Sequence, residues 1–181
     1  VHCQTGRLNI DNVIVDKGKD ITSEFPNLNS TGLDSGAILS HDEQFIYFMS
    51  NRSGFAEIWR YDLTKKQEKP VTQIKTALIE YFSLSHNGQR IAAIYMDKSQ
   101  LVSGIFSTFT GELLAQSPAK LMPLNWSHDD ESIYAVDMKN DETKLLRTNS
   151  QTLEVTEVEN NAGIYAEEFD NGQTLIFYSF N

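Results

Sequence analysis

Ser85-His86-Asn87-Gly88-Gln89-Arg90-Ile91-Ala92 is the stretch that decides how this chain is read. A polar turn carrying Asn-Gly, whose easy access to positive φ makes it the strongest short-range hairpin signal, opens onto a β-branched apolar run. The same grammar recurs as Ser40-His41-Asp42-Glu43-Gln44-Phe45-Ile46-Tyr47, as Ser127-His128-Asp129-Asp130-Glu131-Ser132-Ile133-Tyr134, and as Phe169-Asp170-Asn171-Gly172-Gln173-Thr174-Leu175-Ile176. The register residues Ile46, Ile91, Ile133 and Leu175 stand 45, 42 and 42 positions apart. Four copies in register define a structural repeat.

Outward from each turn the pattern continues. A short strand a precedes it, at 36–39, 81–84, 123–126 and 164–167, and a strand b rich in β-branched and aromatic residues follows, at 45–50, 91–96, 133–138 and 175–180. Strand c is read at 57–63, where apolar and polar residues alternate, and at 144–148; strand d closes the units at 70–73, 113–116 and 154–157. Four short antiparallel strands in about 42 residues, the outer one most polar, make a propeller blade, and no segment sustains a helical period. The expected fold class is all-β: a β-propeller of about four blades of four-stranded antiparallel sheet, one domain over 1–181. Complete blades are expected at 36–73, 79–116 and 122–157, with strands c and d alone at 8–24 and strands a and b alone at 164–180. Those halves are complementary. They predict either a small closed ring, in which Ile10 to Val15 pairs into the blade of 164–180, or an arc of a larger propeller.

Composition narrows the function. With 15 Lys and Arg against 25 Asp and Glu, the net charge is −10, which opposes direct contact with nucleic acid or an anionic membrane surface. Apolar runs such as Ile91 to Met96 fall far short of the roughly twenty residues a membrane helix needs, so no membrane insertion is expected. The first residues, from Val1, lack an initiator Met and a signal-peptide pattern, which reads as a segment of a longer protein. Cys3 is the only cysteine, so no internal disulfide and no cysteine metal knuckle can form.

Motifs that could carry chemistry read as structure. His41, His86 and His128 recur at one repeat position, but equivalent positions in successive blades splay apart and cannot meet at one ion. They are expected to be exposed turn residues. Asp129-Asp130-Glu131, and Glu167-Glu168 with Asp170, lack the spacing and Gly of a calcium loop and read as solvated turns. Ser117-Pro118-Ala119-Lys120 matches Ser-x-x-Lys without the partner motifs of an acyl-enzyme. Three Asn-x-Ser/Thr sequons, at Asn29, Asn51 and Asn125, carry no assignment. Trp59 and Trp126 are read as packing anchors. No catalytic residue, cofactor or metal ligand is assigned, and the chain is expected not to be an enzyme.

Ser40-His41-Asp42-Glu43, the strand after it, Ser50-Asn51-Arg52-Ser53-Gly54, then Glu57-Ile58-Trp59 and Val71-Thr72 resemble the TolB-type propeller repeat. Its pattern is Ser-Pro-Asp-Gly, an apolar strand, Ser-x-Arg-x-Gly, a Glu-Ile-Trp-like strand and a terminal Leu-Thr. The resemblance covers 36–181 and, more faintly, 8–24. It departs from the pattern where His41, His86 and His128 replace Pro, and where the second and third copies lack the Arg-x-Gly loop. Such repeats occur in periplasmic Tol-system proteins, in propellers attached to serine peptidases, and in periplasmic parts of CadC-like membrane-anchored winged-helix regulators. The resemblance therefore implies a periplasmic or extracytoplasmic, non-catalytic binding or sensory module, or else the regulatory propeller of a hydrolase whose catalytic domain is not in this chain. Binding is expected on the face that carries the b–c loops (51–56, 97–100, 139–142) and d–a loops (74–79, 117–122, 160–163), with Arg52, Phe55, Lys98, Lys120 and Asn140 as candidates for contact with an unidentified protein or small-molecule ligand.

Overall fold

A computed structural model of the chain describes residues 10–139, 142–160 and 162–179. They divide into two compact units, the first ending at Lys75 and the second beginning at Thr76. The fold is all-β, as the repeat predicts. In the first unit a short hairpin, β1 (Val15–Asp16) with β2 (Lys19–Asp20), and a 3-10 turn (Thr22–Glu24) precede a meander of β3 (Asp34–Leu39), β4 (Phe45–Ser50), β5 (Glu57–Asp62) and β6 (Gln67–Pro70). The second unit holds two more four-stranded meanders. One is β7 (Ile79–Leu84), β8 (Arg90–Asp97), β9 (Gln100–Ser107) and β10 (Leu113–Ser117); the next is β11 (Leu121–Trp126), β12 (Ser132–Lys139), β13 (Glu142–Asn149) and β14 (Val155–Asn160). A two-stranded sheet, β15 (Ala162–Phe169) with β16 (Thr174–Ser179), ends the second unit.

The a–b turns explain the repeat motif. In three copies the buried Ser accepts the N–H that opens strand b, from Phe45, Arg90 or Ser132, and each Ser hydroxyl pairs with the Asx two residues on, Asp42, Asn87 or Asp129. That Asx accepts a second N–H further along the turn, from Gln44, Gln89 or Glu131. Side-chain oxygens thus satisfy the turn's backbone donors. Positive φ falls on the residue after the Asx: Glu43 (56°), Gly88 (68°) and Asp130 (59°). The reading of Asn87-Gly88 is corrected in one respect: only Gly88 uses positive φ, while Asn87 serves through its side chain. The fourth copy has no Ser and instead places Asp170, Asn171 and Gly172 all at positive φ.

Two edges differ from the sequence expectation. Strand d of the first meander ends at Pro70, which has no N–H to extend the ladder; Val71 and Thr72 turn inward, both donating to the Ile58 carbonyl. At the other edge, 10–24 forms no blade-length strands. The Asn29 side chain accepts from Asn12 N–H and donates to Asn12 C=O, and Thr22 Oγ1 accepts from Ile14 N–H, so side chains take the place of a ladder. Within this unit Ile10 makes a parallel bridge to Leu33, and β1 pairs with β2.

In the first unit Leu28, Ile46, Phe48 and Tyr61 form a core flanked by Ile14, Phe25, Trp59 and Leu63. In the second, Ala92, Ile105, Trp126, Ile133 and Leu153 pack the second meander on the third. Tyr134, Leu145, Ala162 and Ala166 pack the third on β15–β16.

Candidate functional site

The d–a loops at 74–79 and 117–122 are held by buried polar side chains. In the first unit the Glu57 carboxylate, only 3% exposed, lies at the start of β5. It accepts the Thr72 hydroxyl (2.6 Å) and the backbone N–H groups of Ile74 (3.1 Å) and Lys75 (2.6 Å). Thr72 Oγ1 in turn accepts Ile58 N–H. The Val71-Thr72 element of the repeat is therefore a clip that fixes the d–a loop against strand c. In the second unit Ser103 does the equivalent work, accepting Leu121 N–H and donating to the Ala119 carbonyl. Thr76 donates to the Met96 carbonyl at the b–c end of β8. Neither Glu57 nor Ser103 was singled out from sequence. Their signal was a polar residue at a strand position where burial forbids an unpaired one.

Arg52, read as a ligand contact, is committed to the fold. Its guanidinium lies 5.0 Å from the Phe48 ring and 5.1 Å from the Trp59 ring, and donates to Asn27 C=O, Leu28 C=O and the Asp34 carboxylate. Asp34 is fully buried. Burial pushes its carboxyl up, but hydrogen bonds from Ser30, Ser50 and Arg52 outweigh that and hold it below the ordinary value. The Ser-x-Arg-x-Gly loop is thus a clamp on the 27–34 crossover. Phe55, on the same loop, is 46% exposed and is the apolar side chain the loop presents. Lys98 is exposed in the two-residue turn Lys98-Ser99, both residues at positive φ, and Lys120 is exposed in the d–a loop before β11. Asn140 and Cys3 lie outside the described residues. Ser117 accepts Ala119 N–H in a local turn.

The turn residues depart from expectation. Asp130, read as solvated, is 4% exposed and accepts His86 N–H and Asn87 N–H at 2.9 Å, with His86 Nδ1 at 3.0 Å from the same carboxylate. Arg90 crosses the same junction, donating to Asp130 C=O and to Ser150 and lying over Trp126. Glu168 joins the third meander to β15 by accepting His128 N–H (2.7 Å) and the Tyr134 hydroxyl (2.6 Å). Burial, then that hydrogen bond, pushes the Tyr134 hydroxyl up to about 12. The order of sequence hid both junctions, because each links residues about one repeat apart. Trp126 is a packing anchor at 1% exposure. Among the described residues no helix is long and apolar enough to cross a membrane.

No family model and no curated protein matches the chain. Solved structures do. TolB from Acinetobacter baumannii aligns over 79% of this chain at 19% identity and TM-score 0.60, and putative TolB from Agrobacterium tumefaciens over 82% at 12% and 0.67. Pyrococcus horikoshii acylaminoacyl peptidase aligns over 76% at 18% and 0.57. The chain spans 40%, 55% and 27% of those three chains, respectively. At such identities the likeness is one of fold, and the fold is TolB-like propeller sheet.

Proposed function

We propose that this chain is a non-catalytic binding module that meets its ligand through the b–c and d–a loops. The observation that carries the reading is the Glu57 clip, which fixes a d–a loop backbone from beneath. A loop ordered in advance loses little entropy on binding. In the resemblance to TolB-type repeats this module belongs to a bacterial envelope protein, on the periplasmic side, and we place it as the sensory part of a membrane-anchored winged-helix regulator. A photocross-linking residue at Phe55 tests the binding face, with the same residue at His41, on an a–b turn, as reference. Adducts in the envelope fraction at Phe55 and not at His41 are expected; equal yields at both, or none at Phe55, would remove the assignment. Turnover of ester or peptide substrates that disappears in Ser117→Ala would remove the non-catalytic reading.

A second reading, the regulatory propeller of a serine peptidase, is supported by the likeness to acylaminoacyl peptidase sheets. Sequence flanking the chain in its parent protein separates the two: a membrane helix and winged helix favour the first, a Gly-x-Ser-x-Gly domain the second.

A further inference from the structure

The c–d hairpin of the first meander places two cations side by side. Arg60 in β5 and Lys69 in β6 are direct cross-strand partners, and like charges in that position repel across a ladder. Both border a cleft of about 170 Å³, lined also by Asp62, Lys65, Gln67 and Glu68. The cleft's acids already have partners. Asp62 accepts the backbone N–H groups of Thr64 and Lys65 and lies 3.4 Å from Lys65 Nζ. Glu68, opposite Tyr61, points by strand alternation to the other face, where its carboxylate is 3.9 Å from Arg52. What remains is two positive charges, in a chain whose net charge is −10.

Arg60 is also held in place. Its guanidinium lies over the Phe45 ring at 4.4 Å, and among the described residues no protein acceptor takes its N–H groups. Stacking fixes the plane of the fork and leaves its donor edge for a ligand. We propose that Arg60 and Lys69 form a binding site for a small oxyanion group, phosphate or carboxylate, carried by the ligand. At about 170 Å³ the cleft has room for one such head group. An anion between the cations converts their repulsion into two charge-assisted contacts, with Arg supplying the bidentate one. The site lies on the c–d turn and is independent of the b–c and d–a loops.

The test is thermal unfolding of the full chain at low ionic strength with inorganic phosphate, with acetate, and with chloride at matched ionic strength. A saturable rise in Tm beyond that in chloride is expected, since a ligand of the folded state alone raises its stability. The larger response identifies the group: phosphate for a phosphoryl ligand, acetate for a carboxylate. Arg60→Gln and Lys69→Gln should each weaken the apparent affinity about tenfold, the scale of one charge-assisted hydrogen bond. Lys69→Glu gives the sharper result: it replaces the repulsive pair with an attractive one, so the chain without added anion should melt higher while its response to anion disappears. Phosphate and acetate acting no more strongly than chloride, or an anion response that survives in both Lys69→Glu and Arg60→Gln, overturns the site.

Discussion

At the scale of the residue, the a–b turns carry the same backbone shape with different side chains at the positive-φ position, and that difference has a measurable consequence. Glu43 (φ 56°) is exposed in the first copy, whereas Asp130 (φ 59°) in the third is buried and accepts two N–H groups from the neighbouring turn. Left-handed backbone costs an L residue about 1 kcal/mol that Gly does not incur. Glu43→Gly should therefore stabilise the chain by about 0.5–1 kcal/mol. Asp130→Gly should destabilise it by about 2 kcal/mol, because the lost acceptor outweighs the relieved strain. Urea unfolding of the two variants checks both signs, and equal effects would mean that the Asp130 junction contributes nothing. Sequence alone could not separate the two positions. Both are acidic residues of a polar turn, and only the turn stacked against one of them makes it different.

At the scale of the element, the Arg52 loop shows how a motif suggestive of binding can be structural. Its guanidinium neutralises a fully buried Asp34 and caps carbonyls of the 27–34 crossover. Removing one partner of such a pair leaves an uncompensated buried charge, at about 3–5 kcal/mol. Arg52→Ala should lower Tm sharply, and Arg52→Lys should recover only part of the loss, because an ammonium cannot serve the carboxylate and both carbonyls from one plane. A variant that melts like the parent chain would return Arg52 to the list of exposed ligand contacts. The alternating pattern of the strands was legible in sequence, since it is set by neighbours two residues apart. The destination of Arg52 was not, because its acceptors lie 18 to 25 residues away across a crossover with no regular period.

At the scale of the whole molecule, the second unit is held by side-chain junctions between successive sheets, and one of them titrates. Tyr134 keeps its proton up to about 12 while donating to Glu168, whereas an unfolded Tyr loses it near 10. Between those values the unfolded chain has released a proton that the folded chain retains, so stability is full below about pH 10 and falls as pH rises toward 12. Tyr134→Phe should flatten that part of the stability profile, and an unaltered slope would show that the junction opens before the hydroxyl ionises. By itself the sequence determined the all-β class, the repeat of about 42 residues and the placement of strand b within a residue or two. Those follow from side-chain alternation and turn chemistry, which act over a few bonds. Only the tertiary structure decided which polar residues leave solvent. Asp130 meets His86 and Asn87 across 44 and 43 positions, and Glu168 meets His128 and Tyr134 across 40 and 34. These separations are on the scale of one repeat, so the partners meet only once one sheet has stacked on the next, and that stacking selects which carboxylates hold the junctions.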